Sequence, residues 1–330
     1  MPRSDELRFI AHNRVPVTRL GLGTVPLGFL YAPVNDNEAY HTIETAFDLG
    51  LHLFDTAPLY GDGVAETRLG HVLRSRPRDS FTVATKVGFD IQEGARSLDG
   101  FEYRFYLEAP RDFSYDGVLR NLDRSLTRLQ LDRVDIVHIH DADEHFEEAM
   151  DGAYRALDRL RSEGVIGAVS AGMNQAEMLA RFAREGDFDC FLLAGRYTLL
   201  EQTALRALFP LCTSKQISVL LGGVYNSGIL ADPNAPSPQY NYAPAREALI
   251  NKAQRIDAAC RRHGVPIKAA ALQFAAAHPA VAAILCGSRS AEELAENDRM
   301  FRFSIPSGLW DELRDEGLVD SAAPVPADHV

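Results

Sequence analysis

The stretch DGVLRNLDRSLTRLQLDRVDIVHIH, residues 116–140, decides how the rest of the chain is read. Its first half sets Leu119, Leu122, Leu126 and Leu129 three and four residues apart, which gathers them on one face of a helix. Its second half, VDIVHIH (134–140), is a short, mostly apolar run, as expected of a strand covered on both faces. The run closes on His140, so a chemistry-bearing side chain falls where strand gives way to loop.

The same alternation recurs in both directions. Strand-like runs are RLGLGT (19–24), LHLFDTA (51–57), FTVATKVG (81–88), VDIVHIH (134–140), VIGAVSAG (165–172), CFLLAGRY (190–197), SVLLGGV (218–224) and VAAILCG (281–287), eight in all. Helical patterns fall between or after them, at 37–49, 116–129, 146–161, 175–184, 201–215, 245–263, 269–278 and 291–300. Eight strand–helix units favour a (β/α)8 TIM barrel over an open doubly wound sheet. No GxGxxG follows the first run, and Gly21 and Gly23 give only a GLGT strand end. The expectation is one barrel domain over 1–330.

The segment RFIAHNRVPVTRL (8–20) reads as a hairpin suited to plugging the barrel bottom. Segments 89–113 and 225–242 are too long to be simple connectors, and both follow C-terminal strand ends, where barrel active sites lie. The first carries Phe101, Tyr103, Phe105 and Tyr106, the second Tyr225, Tyr240 and Tyr242. Such aromatics wall a substrate pocket or pack on their own loop. The Pro- and Ala-rich tail SAAPVPADHV (321–330) is expected to be loosely ordered.

Composition excludes several roles. The formal net charge of -12 opposes nucleic acid or an anionic membrane as partner. Cys190, Cys212, Cys260 and Cys286 form no CxxC pair and have no histidine at ligand spacing, so no metal site is expected. Unpaired thiols suit a reducing, cytoplasmic compartment. The N-terminus, MPRSDELRFIAHNR, has no apolar core of a signal peptide, and no apolar run is long enough to span a membrane. No heptad or apolar stripe reveals an oligomeric state.

Four polar residues fall at or just past strand ends: Asp55, Tyr60, Lys86 and His140. A closed barrel gathers such ends on one rim. There, an ammonium at Lys86 would favour the phenolate of Tyr60 and fit it for proton transfer. A buried lysine needs a counter-charge, which Asp55 supplies. His140 would orient a substrate oxygen while a nicotinamide exchanges hydride. Singly, each has a plainer role: a turn-forming Asp, an ion-paired Lys, a core His, a packing Tyr. Two other classes compete, a barrel lyase using Lys86 as a Schiff-base nucleophile and a cofactor-binding subunit with little turnover.

In these segments the chain resembles the aldo-keto reductase superfamily. The resemblance runs from about Leu20 to about Asn297, through GLHLFDTAPLYGDGVAETRLG, ATKVG, the 112–143 segment and LCGSRSAEELAEN. It implies Asp55, Tyr60, Lys86 and His140 as a catalytic tetrad and NADP or NAD as cofactor. For the cofactor it implies Gly287, Ser288, Arg289, Glu293 and Asn297 on the adenosine side. Arg289 suits a 2′-phosphate through its planar fork. The loop carrying Gly222, Gly223, Asn226 and Gly228 would lie along the pyrophosphate. Two positions depart from many relatives: SAGMNQ stands where a Ser-Asn pair is usual, leaving Asn174 to take the carboxamide, and Ala194 stands near an expected glutamine. The subgroup cues LGLGTVPLGFLYAPV and GGVYNSGIL point to bacterial enzymes that oxidise aldoses such as L-fucose at C1 to lactones, or to enzymes acting on pyridoxal. A broader aldehyde or ketone reductase is the further alternative. The implied partner is a small sugar or aldehyde.

Overall fold

Every one of the eight apolar runs becomes a wall strand. The computed structural model describes residues 2–12, 14–29, 32–91 and 109–326. A hairpin opens the chain, β1 (Leu7–Ile10) paired antiparallel with β2 (Val15–Thr18). The wall strands are β3 (Leu20–Gly23), β4 (Leu53–Asp55), β5 (Thr82–Val87), β6 (Ile136–His140), β7 (Ala168–Met173), β8 (Cys190–Ala194) and β9 (Ser218–Gly222). A two-residue ribbon follows, β10 (Gln239–Tyr240) with β11 (Ala243–Pro244), and β12 (Val281–Gly287) completes the series. The wall closes in the order β12-β3-β4-β5-β6-β7-β8-β9, with parallel pairing throughout. The fold is the (β/α)8 barrel with an N-terminal hairpin that the sequence implies.

Helices cover the outside: α1 (Asp36–Asp48), α2 (Val64–Leu73), α3 (Tyr115–Leu129), α4 (Phe146–Glu148) running through a π turn into α5 (Arg155–Ser162), α6 (Ala176–Glu185), α7 (Ala204–Ala207), α8 (Phe209–Lys215), α9 (Glu247–Arg262), α10 (Ile267–Ala276), α11 (Ala291–Phe301) and α12 (Ser307–Asp315). The pattern at 116–129 becomes α3, capped by Ser114, whose Oγ accepts from Gly117 N at 3.1 Å. Its Val118, Leu122 and Leu129 are buried against the wall. The single helix expected over 201–215 is two, because Pro210 has no N–H to give the preceding turn. Of the tail, residues 327–330 lie outside the described residues; Ala323 is buried and its carbonyl accepts from Arg314 at 2.8 Å, against the looseness expected there.

Period two along the strands sorts the lumen into layers. Leu53, Ala84, Ile136 and Ala168 are apolar and pack with Ile10, Val15 and Val17 of the hairpin, which plugs the bottom. Two residues further along the same strands stand Asp55, Lys86, His138 and Ser170, all buried. Register places Lys86 opposite His138 and His138 opposite Ser170. The lumen is therefore hydrocarbon below and polar above, and the polar layer lies toward the C-terminal rim.

Candidate active site

Lys86 is the centre of the polar layer. Its Nζ donates to Asp55 Oδ2 at 2.7 Å and to the Thr56 carbonyl at 2.8 Å, with 1% of its side chain exposed. Burial pulls the Lys86 ammonium below the ordinary lysine value, against the pull of Asp55. Burial likewise pushes the Asp55 carboxyl up, but Lys86 and His138 outweigh it and hold it below the usual carboxylate range. The ion pair is thus kept by mutual attraction in a poorly solvated place.

Tyr60 lies in the turn after β4. Its ring centroid is 4.8 Å from Lys86 Nζ, and it meets the His140 ring edge to face at 6.1 Å. The turn is fixed by an unusually close backbone approach. A Cβ on Gly28 would sit 2.5 Å from the Tyr60 carbonyl carbon, and Gly61 holds φ +66 directly against Gly28. Only glycine fits at 28, so the phenol's position is set by backbone as well as by packing. His140 ends β6 and stacks edge to face on Phe89 at 5.2 Å. Burial, and after it the nearby Lys86, hold the His140 imidazole well below its ordinary value, so it is neutral at physiological pH. The structure thus brings Asp55, Tyr60, Lys86 and His140 to one rim.

Two neighbours were not among the expected site residues, although period two already puts His138 on the strand face of His140. His138 is wholly buried, its Nε2 3.4 Å from Asp55 Oδ1 and its Nδ1 2.6 Å from Ser170 Oγ. Its spacing of two from His140 was the available signal, since it puts both on the lumen side. Asp141, next after His140, has Oδ2 3.7 Å from His140 Nε2. Burial and then the like charge of Asp143 push its carboxyl up to about 6.

The residues matched to the cofactor lie along the β9 and β12 ends. Gly222 ends β9, and the turn after it holds positive φ at Gly223, Asn226, Ser227 and Gly228. Apart from its chain neighbours, no heavy atom of the described residues lies within 4 Å of where a Gly228 Cβ would stand. The Asn226 side chain is turned inward, donating to the Gly195 carbonyl at 3.1 Å and accepting from Thr198 at 2.6 Å. What this turn offers a phosphate is its backbone. Beyond β12 and Gly287, Ser288 Oγ accepts from Asn297 Nδ2 at 3.2 Å, and Tyr225 donates to Asn297 Oδ1 at 2.8 Å. Arg289 is doubly engaged by Glu293, through its backbone N–H at 2.8 Å and its Nε at 2.9 Å. Asn174 directly follows β7 and is half-buried. Phe101, Tyr103, Phe105 and Tyr106 lie outside the described residues. In the other long loop, Tyr240 donates to Glu201 at 2.9 Å, and Tyr242 stays 62% exposed within electrostatic reach of Asp141.

A phenol and a neutral imidazole beside a buried ammonium, at the mouth of an eight-stranded barrel, suit hydride exchange at a carbonyl or carbinol carbon, the chemistry of nicotinamide-dependent oxidoreductases. The chain belongs to the aldo/keto reductase family, which it matches over residues 19–315. It is 37% identical to the pyridoxal 4-dehydrogenase of Microbacterium luteolum over 96% of this chain and 99% of that protein. It is 35% identical to a Pseudomonas D-threo-aldose 1-dehydrogenase over 92% of this chain and 95% of that protein. Among solved structures, an aldo-keto reductase from Bacillus halodurans in its holo form shares the fold with a TM-score of 0.76 and 21% identity, covering 100% of this chain and 99% of that one. The protein is an NAD(P)-dependent oxidoreductase acting on a small molecule. Among the described residues no helix is long and apolar enough to cross a membrane, and no cluster of three or more metal-ligating side chains occurs.

Proposed function

We propose that the chain, acting as one unit over 1–330, oxidises the C1 hemiacetal of an aldose such as L-fucose to its lactone, with Tyr60 as the general base. The observation that carries this is the Lys86 ammonium, held by Asp55 at 2.7 Å and placed 4.8 Å from the Tyr60 ring. A bound nicotinamide nucleotide supplies the hydride acceptor. The open backbone turn after β9 and the Ser288, Arg289 and Asn297 group fit such a nucleotide in extended form. Tyr60 takes the proton of the C1 hydroxyl as the C–H electron pair departs, leaving the lactone carbonyl. Lys86 stabilises the phenolate that must be present beforehand, and Asp55 keeps Lys86 charged. Neutral His140 holds the C1 oxygen without competing for its proton. Run backwards, the same groups reduce a carbonyl, with Tyr60 as acid.

The 1% exposure of Lys86 and its two hydrogen bonds support a relay role over Schiff-base attack. The Arg289–Glu293 pairing bears on cofactor choice: a 2′-phosphate would have to take Arg289 from a carboxylate, whereas the diol of NAD would not. The four buried, unpaired thiols support a cytoplasmic setting, and the net charge of -12 supports the absence of a nucleic-acid partner. The test is a panel of L-fucose, other aldoses and pyridoxal with each nucleotide, followed at the nicotinamide absorbance, on the native protein and Tyr60→Phe. Loss of roughly 10²–10⁴-fold in kcat, with nucleotide binding retained, is expected for the variant. Unchanged turnover in Tyr60→Phe would remove this mechanism.

A further inference from the structure

The rim beside His140 carries a carboxylate that the proton relay does not use. Asp141 is fixed through its backbone on three counts. Its N–H donates to the Gly172 carbonyl at 2.9 Å, its own carbonyl accepts from Arg111 at 2.6 Å, and its φ of +46 is a left-handed conformation. Arg111 is itself held over the Phe89 ring at 5.0 Å. Among the described residues the Asp141 carboxylate accepts no hydrogen bond, and its side chain is 42% exposed at the mouth. Its Oδ2 lies 3.7 Å from His140 Nε2. A carboxylate on a fixed backbone, with no hydrogen-bond donor among the described residues and beside the reaction centre, marks a place for a ligand's donor.

We infer that Asp141 is a specificity-determining residue that accepts a hydrogen bond from a substrate hydroxyl on the carbon adjacent to the one oxidised. This rests on the aldose reading above. The two oxygens of a vicinal diol lie close enough together for one to meet His140 and the other Asp141. With Asp143 adding negative charge nearby, the mouth favours neutral polyols and disfavours carboxylated or phosphorylated substrates. An aldose meets this requirement, because its C2 bears a hydroxyl. The hemiacetal carbon of pyridoxal does not, because the ring carbon it is bonded to carries none.

The experiment compares L-fucose with its 2-deoxy analogue, on the native protein and on Asp141→Asn. Asparagine tolerates the left-handed backbone as aspartate does, so the change removes charge with little effect on the turn, and nucleotide binding followed by fluorescence verifies that the variant is folded. The native protein is expected to prefer the full aldose by roughly 10–100-fold in kcat/KM, the range of a hydrogen bond to a charged group. In Asp141→Asn, whose amide oxygen still accepts but carries no charge, that preference should fall several-fold, with the loss mostly in KM. A preference that survives unchanged in the variant, or is absent from the native protein, overturns this assignment and leaves the aldose reading standing. No aldose oxidation by the native protein with either nucleotide overturns both.

Discussion

Asp55 accepts from Lys86 on Oδ2 at 2.7 Å, while the His138 Nε2 stands 3.4 Å from its Oδ1. Both stabilise the carboxylate against burial. Because Asp55 is held below its unfolded value, the stability it contributes is present above the unfolded carboxylate value and is lost as pH falls through the folded one. Replacing His138 with leucine takes from the buried Oδ1 its polar neighbour at 3.4 Å, which costs on the order of 1 kcal/mol. It also raises the Asp55 carboxyl, so the acid limb of the kcat profile should move to higher pH. A pH–rate profile superimposable on the native one would leave His138 with a packing role alone. The four expected positions were legible because each stands at or just past an apolar run and their segments together resemble one family's. His138 was passed over because a histidine inside such a run reads as core. Nothing local says that its ring reaches past β5 to Asp55 on β4; that depends on the register of three strands. Asp141 was hidden differently, since only its placement against Gly172, Arg111 and Asp143 distinguishes it from any loop carboxylate.

Helices with a marked apolar stripe, such as α3 and α6, were legible from periodicity; α2 and α12 were not. α2 spans only ten residues, starts from Gly63 at φ +89, and contains Gly70. Both glycines read as turn signals. Yet Gly70 is the contact point between α2 and α3: a Cβ there would stand 2.2 Å from the Leu129 carbonyl oxygen. α2 also carries the buried Glu66, which accepts from Thr85 at 2.6 Å and from Arg128 at 2.7 Å, linking β5 to α3 behind Lys86. Gly70→Ala must therefore force the two helices apart. A loss of about 1–3 kcal/mol is expected, the usual range for overpacking, read as a lower urea midpoint with the slope unchanged. A midpoint at or above the native one would show that the helices can yield at this point. Pro210, plainly visible in the sequence, is the corresponding lesson at α7 and α8: a helical pattern that contains it divides there.

Across the whole molecule, the charge at the mouth sets function against stability. Asp141 binds its proton more tightly in the folded state than in the unfolded one, with a value raised from 3.8 to about 6. Stability therefore falls as pH rises between those values, and the cost persists above them. Screening at a side chain 42% exposed keeps that cost small, on the order of 1 kcal/mol. Asp141→Asn should then melt roughly 2–4 °C above the native protein at pH 8 and level with it near pH 4. An equal melting temperature at both pH values would contradict it. Gain of stability with loss of selectivity is the exchange expected where a site keeps an unsatisfied group for its ligand. The way the wall closes has a temporal consequence as well. β3, the first wall strand to leave a ribosome, pairs on one side with β12, the last wall strand, through Leu20 opposite Ile284. Until residues 281–287 have emerged, the nascent sheet from β3 to β9 carries two bare edges, open to pairing with other chains. Translation stalled beyond β9 but short of β12 would thus yield an adhesive intermediate, for which chaperone capture during synthesis is a physical need.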